Sequence, residues 1–281
     1  MGAIIMPEPS GEAIKSVREF LDRLESWHGE EPSDQKQGYF WPMWYRGVNT
    51  HFEMQMPKIY REKFSARASN LERGGDLEDD RRQLECEMFM QFRSAGAALL
   101  QSDDMVDMYF AAQHFGMPTR LLDWSTNPLA ALFFACRDQS PTDGVVYAMN
   151  AREVIPGDAT FDGKRLPQAV MTMRHDLVLD AVAVSYWATP DPEQCNYILP
   201  VRPDVVPGRI GAQGSCFTLH MHRSGDAAPK KTVSIRVETA SKRPILEQLH
   251  RLGVNQFTVF EDLDHLSKGV TRSWGLADLC G

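Results

Sequence analysis

One short segment, Gln113 to Ala135, constrains this chain more than any other part of it. Its apolar residues are patterned like a buried strand followed by a buried helix. The same segment carries several polar or ionisable side chains, among them His114, Arg120, Asp123, Ser125 and Asn127. Buried polar groups cost free energy unless they are paired. The segment therefore contains either a network of paired structural side chains or a functional site.

Composition and charge limit the class of protein. The chain has 281 residues, of which 43% are hydrophobic and 24% charged, as in soluble globular proteins. The formal net charge is -8 and the basic residues are dispersed, which argues against a broad basic surface for nucleic acid. No apolar run approaches the roughly 20 residues of a membrane helix, and no signal-peptide pattern opens the sequence. We expect a cytoplasmic protein without membrane contact.

The cysteines and histidines do not indicate a metal site. The five cysteines are an odd number, are widely spaced and form no C-x-x-C pair, so neither a disulfide framework nor a zinc site is predicted. His220 and His222 would share one face of a strand. A metal site normally needs at least three protein ligands, and no third ligand stands at a useful spacing.

Hydrophobic periodicity alternates between the helical and the extended pattern and predicts a single α+β domain. The predicted helices cover residues 14–24, 81–100, 105–115, 129–136, 244–252 and a last segment from about 262. The predicted strands cover residues 39–47, 120–124, 145–149, 215–221 and 231–237. No internal repeat or low-complexity tract divides the chain.

Arg46 is the first candidate for binding. It lies at the end of a predicted aromatic strand, beside Gly47, whose missing side chain permits a close backbone approach. A guanidinium in this position can hold a phosphate or a pyrophosphate through paired donors. The alternative is that Arg46 stacks on Trp44 or pairs with a carboxylate.

The polar residues of the central segment have structural alternatives as well. Asp123 can pair with Arg120 or Arg46 and serve only the fold, because buried charges come in pairs. Ser125, Thr126 and Asn127 precede Pro128, a position where their side chains cap the following helix. His114 stands near the end of a predicted helix, where a histidine can act as a cap or as a core residue.

Several motifs together resemble the FRG domain family. They are Tyr45-Arg46-Gly47, the run QHFGMPTRLLDWSTNP from Gln113 to Pro128, Arg209 to Phe217, Gly253-Val254 and Phe260 to Asp264. The resemblance extends from about residue 39 to about residue 270. It implies an N-terminal helix and linker over residues 1–38 and an FRG domain over residues 39–281, together one compact unit.

A more distant resemblance concerns the arginine class of ADP-ribosyltransferases. It implies a split antiparallel or mixed sheet flanked by helices. Arg46 would hold the phosphates of NAD, and Ser125 and Thr126 would shape the nicotinamide pocket. The family's later-strand glutamate has no equivalent here: Gln213 is nearest in order, and the carboxylates that can replace the glutamate are Asp123, Glu238, Glu261 and Asp262.

The two resemblances imply an enzyme that uses NAD or a related nucleotide and transfers or hydrolyses ADP-ribose, with no metal. The implied setting is a bacterial toxin, an effector or an anti-phage defence protein. The candidate catalytic residues are Arg46, Asp123, Ser125 and Gln213. The candidate nucleotide-binding residues are Arg46, His114, Thr119, Arg120, Thr126 and Asn127. The alternative is a non-catalytic FRG module that recognises a nucleotide, a nucleic acid or a protein.

Overall fold

A computed structural model describes most of the chain. The described residues are 2–29, 43–51, 54–61, 77–100, 104–137, 141–157, 159–161, 164–165, 170–172, 175–176, 178–179, 182, 197–202, 214–221, 226–260, 267 and 270–271. The α-helices among these residues are α1 (Val17–Gly29), α2 (Leu77–Leu100), α3 (Met105–His114), α4 (Pro128–Cys136), α5 (Lys242–Arg251) and α6 (Gln256–Phe260). None of these helices has the length and apolar character needed to cross a membrane.

The strands include all five that the periodicity predicts and several short ones that it does not. They are β1 (Ile4–Ile5), β2 (Met43–Val48), β3 (Met54–Gln55), β4 (Leu121–Ser125), β5 (Gly144–Asn150), β6 (Thr160–Phe161), β7 (Lys164–Arg165), β8 (Met171–Thr172), β9 (Ile198–Arg202), β10 (Ser215–His220) and β11 (Thr232–Val237). Seven of them form one sheet in the order β11-β5-β2-β4-β10-β9-β8. All neighbours are antiparallel except β8 and β9. The predicted α+β class, a mixed sheet flanked by helices, is confirmed.

The central sheet is nearly divided in two between β2 and β4. Strand β2 pairs with β5 over all six of its residues. It meets β4 at a single described pair, Tyr45 opposite Ser125. One half of the sheet is therefore β11-β5-β2 and the other is β4-β10-β9-β8.

Helices cover one face of both halves. Helices α1, α4 and α5 pack on β2, β5 and β11, with residues such as Phe20, Leu132 and Ile245 in one apolar cluster with Tyr45. Helices α2 and α3 pack on β4, β10 and β9, where Phe110 stacks edge-on against Phe217.

Helix α4 lies unusually close to the sheet because two glycines face it. A Cβ atom on Gly47 would stand 1.7 Å from the carbonyl oxygen of Ala131, and one on Gly144 would stand 2.2 Å from that of Ala135. Real Cβ atoms do not approach a backbone atom so closely. The glycine of the Tyr-Arg-Gly motif therefore serves the packing of helix on sheet.

The N-terminal segment packs on the opposite face of the same sheet. Ile4 and Met6 are buried in a cluster with Trp44 and Tyr147. The division predicted at residue 38 falls in residues 30–42, outside the described residues. The described parts on both sides of it share apolar clusters.

Candidate functional site

Arg46 occupies the gap where β2 and β4 separate. Continuing the register from Tyr45–Ser125 would bring Gly47 opposite Asp123. The strands diverge instead, and the guanidinium lies between them. Its Nη1 donates to the Asp123 backbone carbonyl at 2.7 Å, and its Nε donates to Oε1 of Gln55 at 3.2 Å. A side chain thus takes over part of the hydrogen bonding that a strand ladder would supply.

The half-buried Arg46 side chain stays charged at neutral pH. Burial lowers the pKa of its guanidinium to about 10, and the neighbouring Arg61 lowers this pKa as well, whereas the carboxylate of Asp123 raises it. Within the described ranges, the Nη2 atom of Arg46 has no hydrogen-bond partner. Arg46 can therefore present a cationic donor within the electrostatic influence of the exposed Asp123 carboxylate.

A hydrogen-bonded chain fixes the Asp123 carboxylate from the other side. Asp123 itself is exposed, and its Oδ2 accepts from Nε2 of Gln113 at 2.9 Å. The Gln113 Oε1 accepts from the hydroxyl of Thr119 at 2.6 Å. Gln113 and Thr119 are buried, so both amide ends of Gln113 are satisfied inside the protein. Thr119, a predicted nucleotide ligand, lies in this internal chain.

Arg120 belongs to a separate, fully buried network. Its Nε donates to Oε2 of Glu85 at 2.8 Å, and the two side chains have no exposed area. Oε1 of Glu85 also accepts from the backbone N–H of Arg120 and from the hydroxyl of Tyr109. Burial, followed by the charge of Glu85, raises the pKa of Tyr109 well above its ordinary value. The Arg120 guanidinium is inaccessible to a nucleotide in this structure, and its partner is Glu85 and not Asp123.

The three residues after Trp124 form the turn into α4. The Ser125 hydroxyl accepts from the backbone N–H of Asn127 at 2.9 Å. Oδ1 of Asn127 accepts from the N–H groups of Leu129 and Ala130, which makes Asn127 the N-cap of α4. This is the capping alternative that the sequence left open. The side-chain carbonyl oxygen of Asn127 is therefore occupied by the helix cap.

Thr126 joins this turn to the start of β10. Its backbone N–H donates to the carbonyl of Gly214 at 2.9 Å, and its hydroxyl donates to the same oxygen at 3.3 Å. Thr126 is exposed, whereas Ser125 is buried between its cross-strand neighbours Tyr45 and Ser215. Gln213 lies outside the described residues.

The two histidines considered from the sequence lie in different environments. His114 is half-buried at the end of α3, where its ring packs edge-on against Phe115 with centroids 5.3 Å apart. His220 is fully buried, with Nδ1 2.7 Å from the carbonyl oxygen of Gly2 and Nε2 2.8 Å from the hydroxyl of Thr218. His222 lies outside the described residues. Within the described ranges, no group of three His, Cys, Asp or Glu side chains is arranged to hold a metal ion.

The structure thus brings Arg46, Asp123 and the Ser125 turn together and adds residues that the sequence did not single out. Gln55 lies on a two-residue strand, too short to show periodicity. One sequence feature pointed to Glu85: it stands four residues before Phe89, so the two side chains share one face of the predicted helix, and both are buried. Gln113 offered its position in the central motif. Nothing local marked Arg61, whose pKa burial lowers and Asp123 raises.

The fold and the site together describe an α+β protein with a cationic group at the split of its mixed sheet. The family model of the FRG domain matches residues 42–144. The chain therefore carries an FRG domain over this range, which contains Arg46, Asp123 and α4. The resemblance to the FRG family is confirmed for these residues, and its motifs beyond residue 144 lie outside the match.

Searches of curated proteins and of solved structures found no match to the chain. The resemblance to the arginine class of ADP-ribosyltransferases stays a prediction.

Proposed function

We propose that this FRG-domain protein binds NAD or a related nucleotide at Arg46 and transfers or hydrolyses its ADP-ribose. The observation that carries the proposal is the position of Arg46 at the split of the sheet, hydrogen-bonded to the backbone of Asp123 and near enough to the exposed carboxylate of that residue for its charge to raise the pKa of Arg46. Phosphate binding and stabilisation of a developing positive charge need these two kinds of group close together.

Arg46 suits a phosphate ligand because its orientation is set before binding. Two of its donors are engaged by Gln55 and by the Asp123 carbonyl, so the fork has a defined plane. A preorganised guanidinium loses less entropy when it binds a phosphate oxygen. Arg61, close enough to lower the pKa of Arg46, adds a second positive charge for a diphosphate.

Asp123 is the carboxylate that we assign to the chemical step. Breaking the bond between ribose and nicotinamide leaves positive charge on the ribose while nicotinamide departs with the electron pair. Water or an acceptor nucleophile then bonds to the ribose carbon and loses a proton to solvent. A carboxylate held in place beside the ribose stabilises the cationic transition state. The carboxylate of Asp123 is held by its hydrogen bond from Gln113.

Another carboxylate considered from the sequence, Glu238, fits this role less well. It follows β11 at the sheet edge, two strands away from β2, and its Oε2 accepts from the hydroxyl of Ser241. Glu261 and Asp262 lie outside the described residues. Asp123 is therefore the carboxylate to test first.

The experiment is incubation of the full chain with NAD labelled in the nicotinamide and, separately, in the adenylate. We expect nicotinamide release or label transfer, reduced about 10²-fold or more by Arg46→Ala and by Asp123→Asn. Arg243→Ala, on the exposed face of α5, is the matched control and should keep full activity. If neither nicotinamide release nor label transfer exceeds the level seen with Arg46→Ala, the proposed enzymatic activity is excluded.

The alternative is a non-catalytic FRG module that binds a nucleotide at the same arginine. The engagement of Ser125 and Asn127 in the α4 turn favours it, because those side chains are then structural. Calorimetric titration with ADP-ribose separates the two functions. Binding that is much weaker but still measurable in Arg46→Ala, without any NAD cleavage, would identify the module.

The role as a bacterial toxin, effector or anti-phage defence protein rests on the family resemblance. Expression of the wild-type chain in a bacterial host should slow growth if the domain consumes NAD or modifies an essential acceptor. Arg46→Ala should relieve that effect at equal protein level. Equal growth inhibition by both chains would contradict an Arg46-dependent toxicity.

A further inference from the structure

The N-terminal segment, residues 2–8, lies outside the matched FRG region and is connected to Arg46 through intervening residues. Strand β1 pairs with β3, so that Ile4 stands opposite Gln55. Ile4 is fully buried and Met6 nearly so. The segment is therefore part of the packed structure on the face of the sheet that carries Arg46.

Hydrogen bonds at Gly2, Ala3 and Ile5 hold this segment in place. The carbonyl oxygen of Gly2 lies 2.7 Å from Nδ1 of the buried His220. A carbonyl only accepts, so Nδ1 carries the proton in this contact. The N–H of Ala3 donates to Asp226, and the N–H of Ile5 donates to the carbonyl of Ala227, at 2.9 and 2.8 Å.

A first connection runs from this segment to Arg46 through Gln55. The backbone of Gln55 is held in register by Ile4, and its side chain is buried. Its Oε1 accepts from Nε of Arg46 at 3.2 Å. A displacement of β1 would move Gln55 and release one of the two hydrogen bonds that orient the guanidinium.

A second connection starts at Glu8. Its Oε2 lies 3.0 Å from Nε2 of His51, a close contact without the geometry of a hydrogen bond. Nδ1 of His51 lies 2.9 Å from the hydroxyl of Tyr147. Tyr147 is buried directly opposite Arg46 in the β2–β5 ladder. Cross-strand partners point to the same face, so the phenol and the guanidinium are neighbours.

We propose that residues 2–8 are a positioning element for Arg46, acting through Gln55 on one side and through His51 and Tyr147 on the other. The functional consequence rests on the proposed function of Arg46 as the phosphate-binding group. Gln55, Glu8 and Tyr147 are then positioning residues, because none of them needs to touch the nucleotide. The FRG domain and the N-terminal segment would form one functional unit.

The first test observes Arg46 without any ligand, by NMR of arginine Nε–H groups in the full-length chain. Arg46→Lys assigns the resonance. In the wild type we expect slow solvent exchange of this N–H, and in Gln55→Leu an exchange rate at least about tenfold higher, since the hydrogen bond is lost. Tyr147→Phe and Glu8→Gln should shift the same resonance, and Arg18→Ala, which is exposed on α1, should not.

The second test is a double-mutant cycle with ADP-ribose as the probe. Gln55→Leu should weaken binding about tenfold when Arg46 is present and less than about twofold in Arg46→Ala, since positioning acts only through Arg46. A purely structural role would give the same loss in both backgrounds. Thermal melts of each variant verify that it is folded.

The outcomes separate the two proposals. An unchanged Arg46 resonance in Gln55→Leu, Tyr147→Phe and Glu8→Gln would overturn the positioning element. If Gln55→Leu does not fold, the exposed Glu8→Gln and the conservative Tyr147→Phe decide the question. A wild type that binds no ADP-ribose would overturn the proposed function, while the NMR result would still decide the positioning.

Discussion

Nη1 of Arg46 donates a 2.7 Å hydrogen bond to the backbone carbonyl of Asp123, at the level where β2 and β4 stop pairing. The same guanidinium reaches Gln55 through Nε. Arg46 therefore joins the two halves of the sheet and also supplies the charge of the candidate site. Substitutions at Arg46 should affect stability and binding together.

Arg46→Lys should expose this double role. Lysine keeps the positive charge but cannot donate from two fixed positions of a planar fork. We expect the free energy of unfolding in urea to fall by about 1–3 kcal/mol, the contribution of hydrogen bonds to a charged group. Arg243→Lys on the exposed face of α5 is the control. A wild-type urea midpoint for Arg46→Lys would show that the guanidinium does not hold the split.

Glu85→Gln should be among the most destabilising single changes in the chain. It removes the charge that compensates the fully buried Arg120. We expect a loss of about 3–5 kcal/mol in the free energy of unfolding. The nearby Glu87→Gln should change stability by less than about 0.5 kcal/mol.

Replacing both members of the buried pair tests the explanation. In Glu85→Leu with Arg120→Met no uncompensated charge remains, so stability should recover relative to Glu85→Gln. If the double variant is as unstable as the single one, packing and not charge dominates at this position.

Gly47→Ala and Gly96→Ala should have opposite effects. At Gly47 the new methyl group would stand 1.7 Å from a backbone carbonyl of α4, and the helix would have to move. We expect a loss of at least about 3 kcal/mol. At Gly96, inside α2, the nearest atoms lie at 3.8 Å, so alanine should stabilise the helix by about 0.5–1 kcal/mol. Denaturation in urea measures both, and equal effects would contradict the close packing of α4.

The buried His220 should make stability depend on pH. Burial lowers the pKa of its imidazole to about 3, with Arg46 and Arg120 as further causes, against an ordinary value of 6.5. Between these two pH values the unfolded state binds the proton and the folded state does not. Stability should therefore fall on acidification through this window, by up to about 1.4 kcal/mol per pH unit.

His220→Gln isolates this contribution. The difference in unfolding free energy between wild type and variant should shrink as the pH is lowered from 7 to 5. A difference that stays constant over this range would mean that His220 is protonated equally in the folded and unfolded states.

Much of the local structure was predictable because it follows from local pattern. The predicted strand 145–149 and helix 129–136 correspond to Gly144–Asn150 and Pro128–Cys136. The first helix was displaced, since it runs from Val17 to Gly29 and not from residue 14. Helix α2 begins at Leu77, four residues earlier than predicted. The short strands β1 and β3 were missed, because two residues carry no periodicity.

The sequence by itself determined the α+β class, the FRG motifs and the candidate status of Arg46 and Asp123, because periodicity, caps and motifs are properties of neighbouring residues. Tertiary structure alone decided the partners. Arg120 pairs with Glu85, 35 positions away, and Arg46 with Gln55 and the Asp123 carbonyl. Such pairings depend on how separate elements pack, and local pattern holds no information about that packing. The polar segment from Gln113 to Ala135 consequently divides into an internal ion-pair network at Arg120 and a candidate site at Asp123.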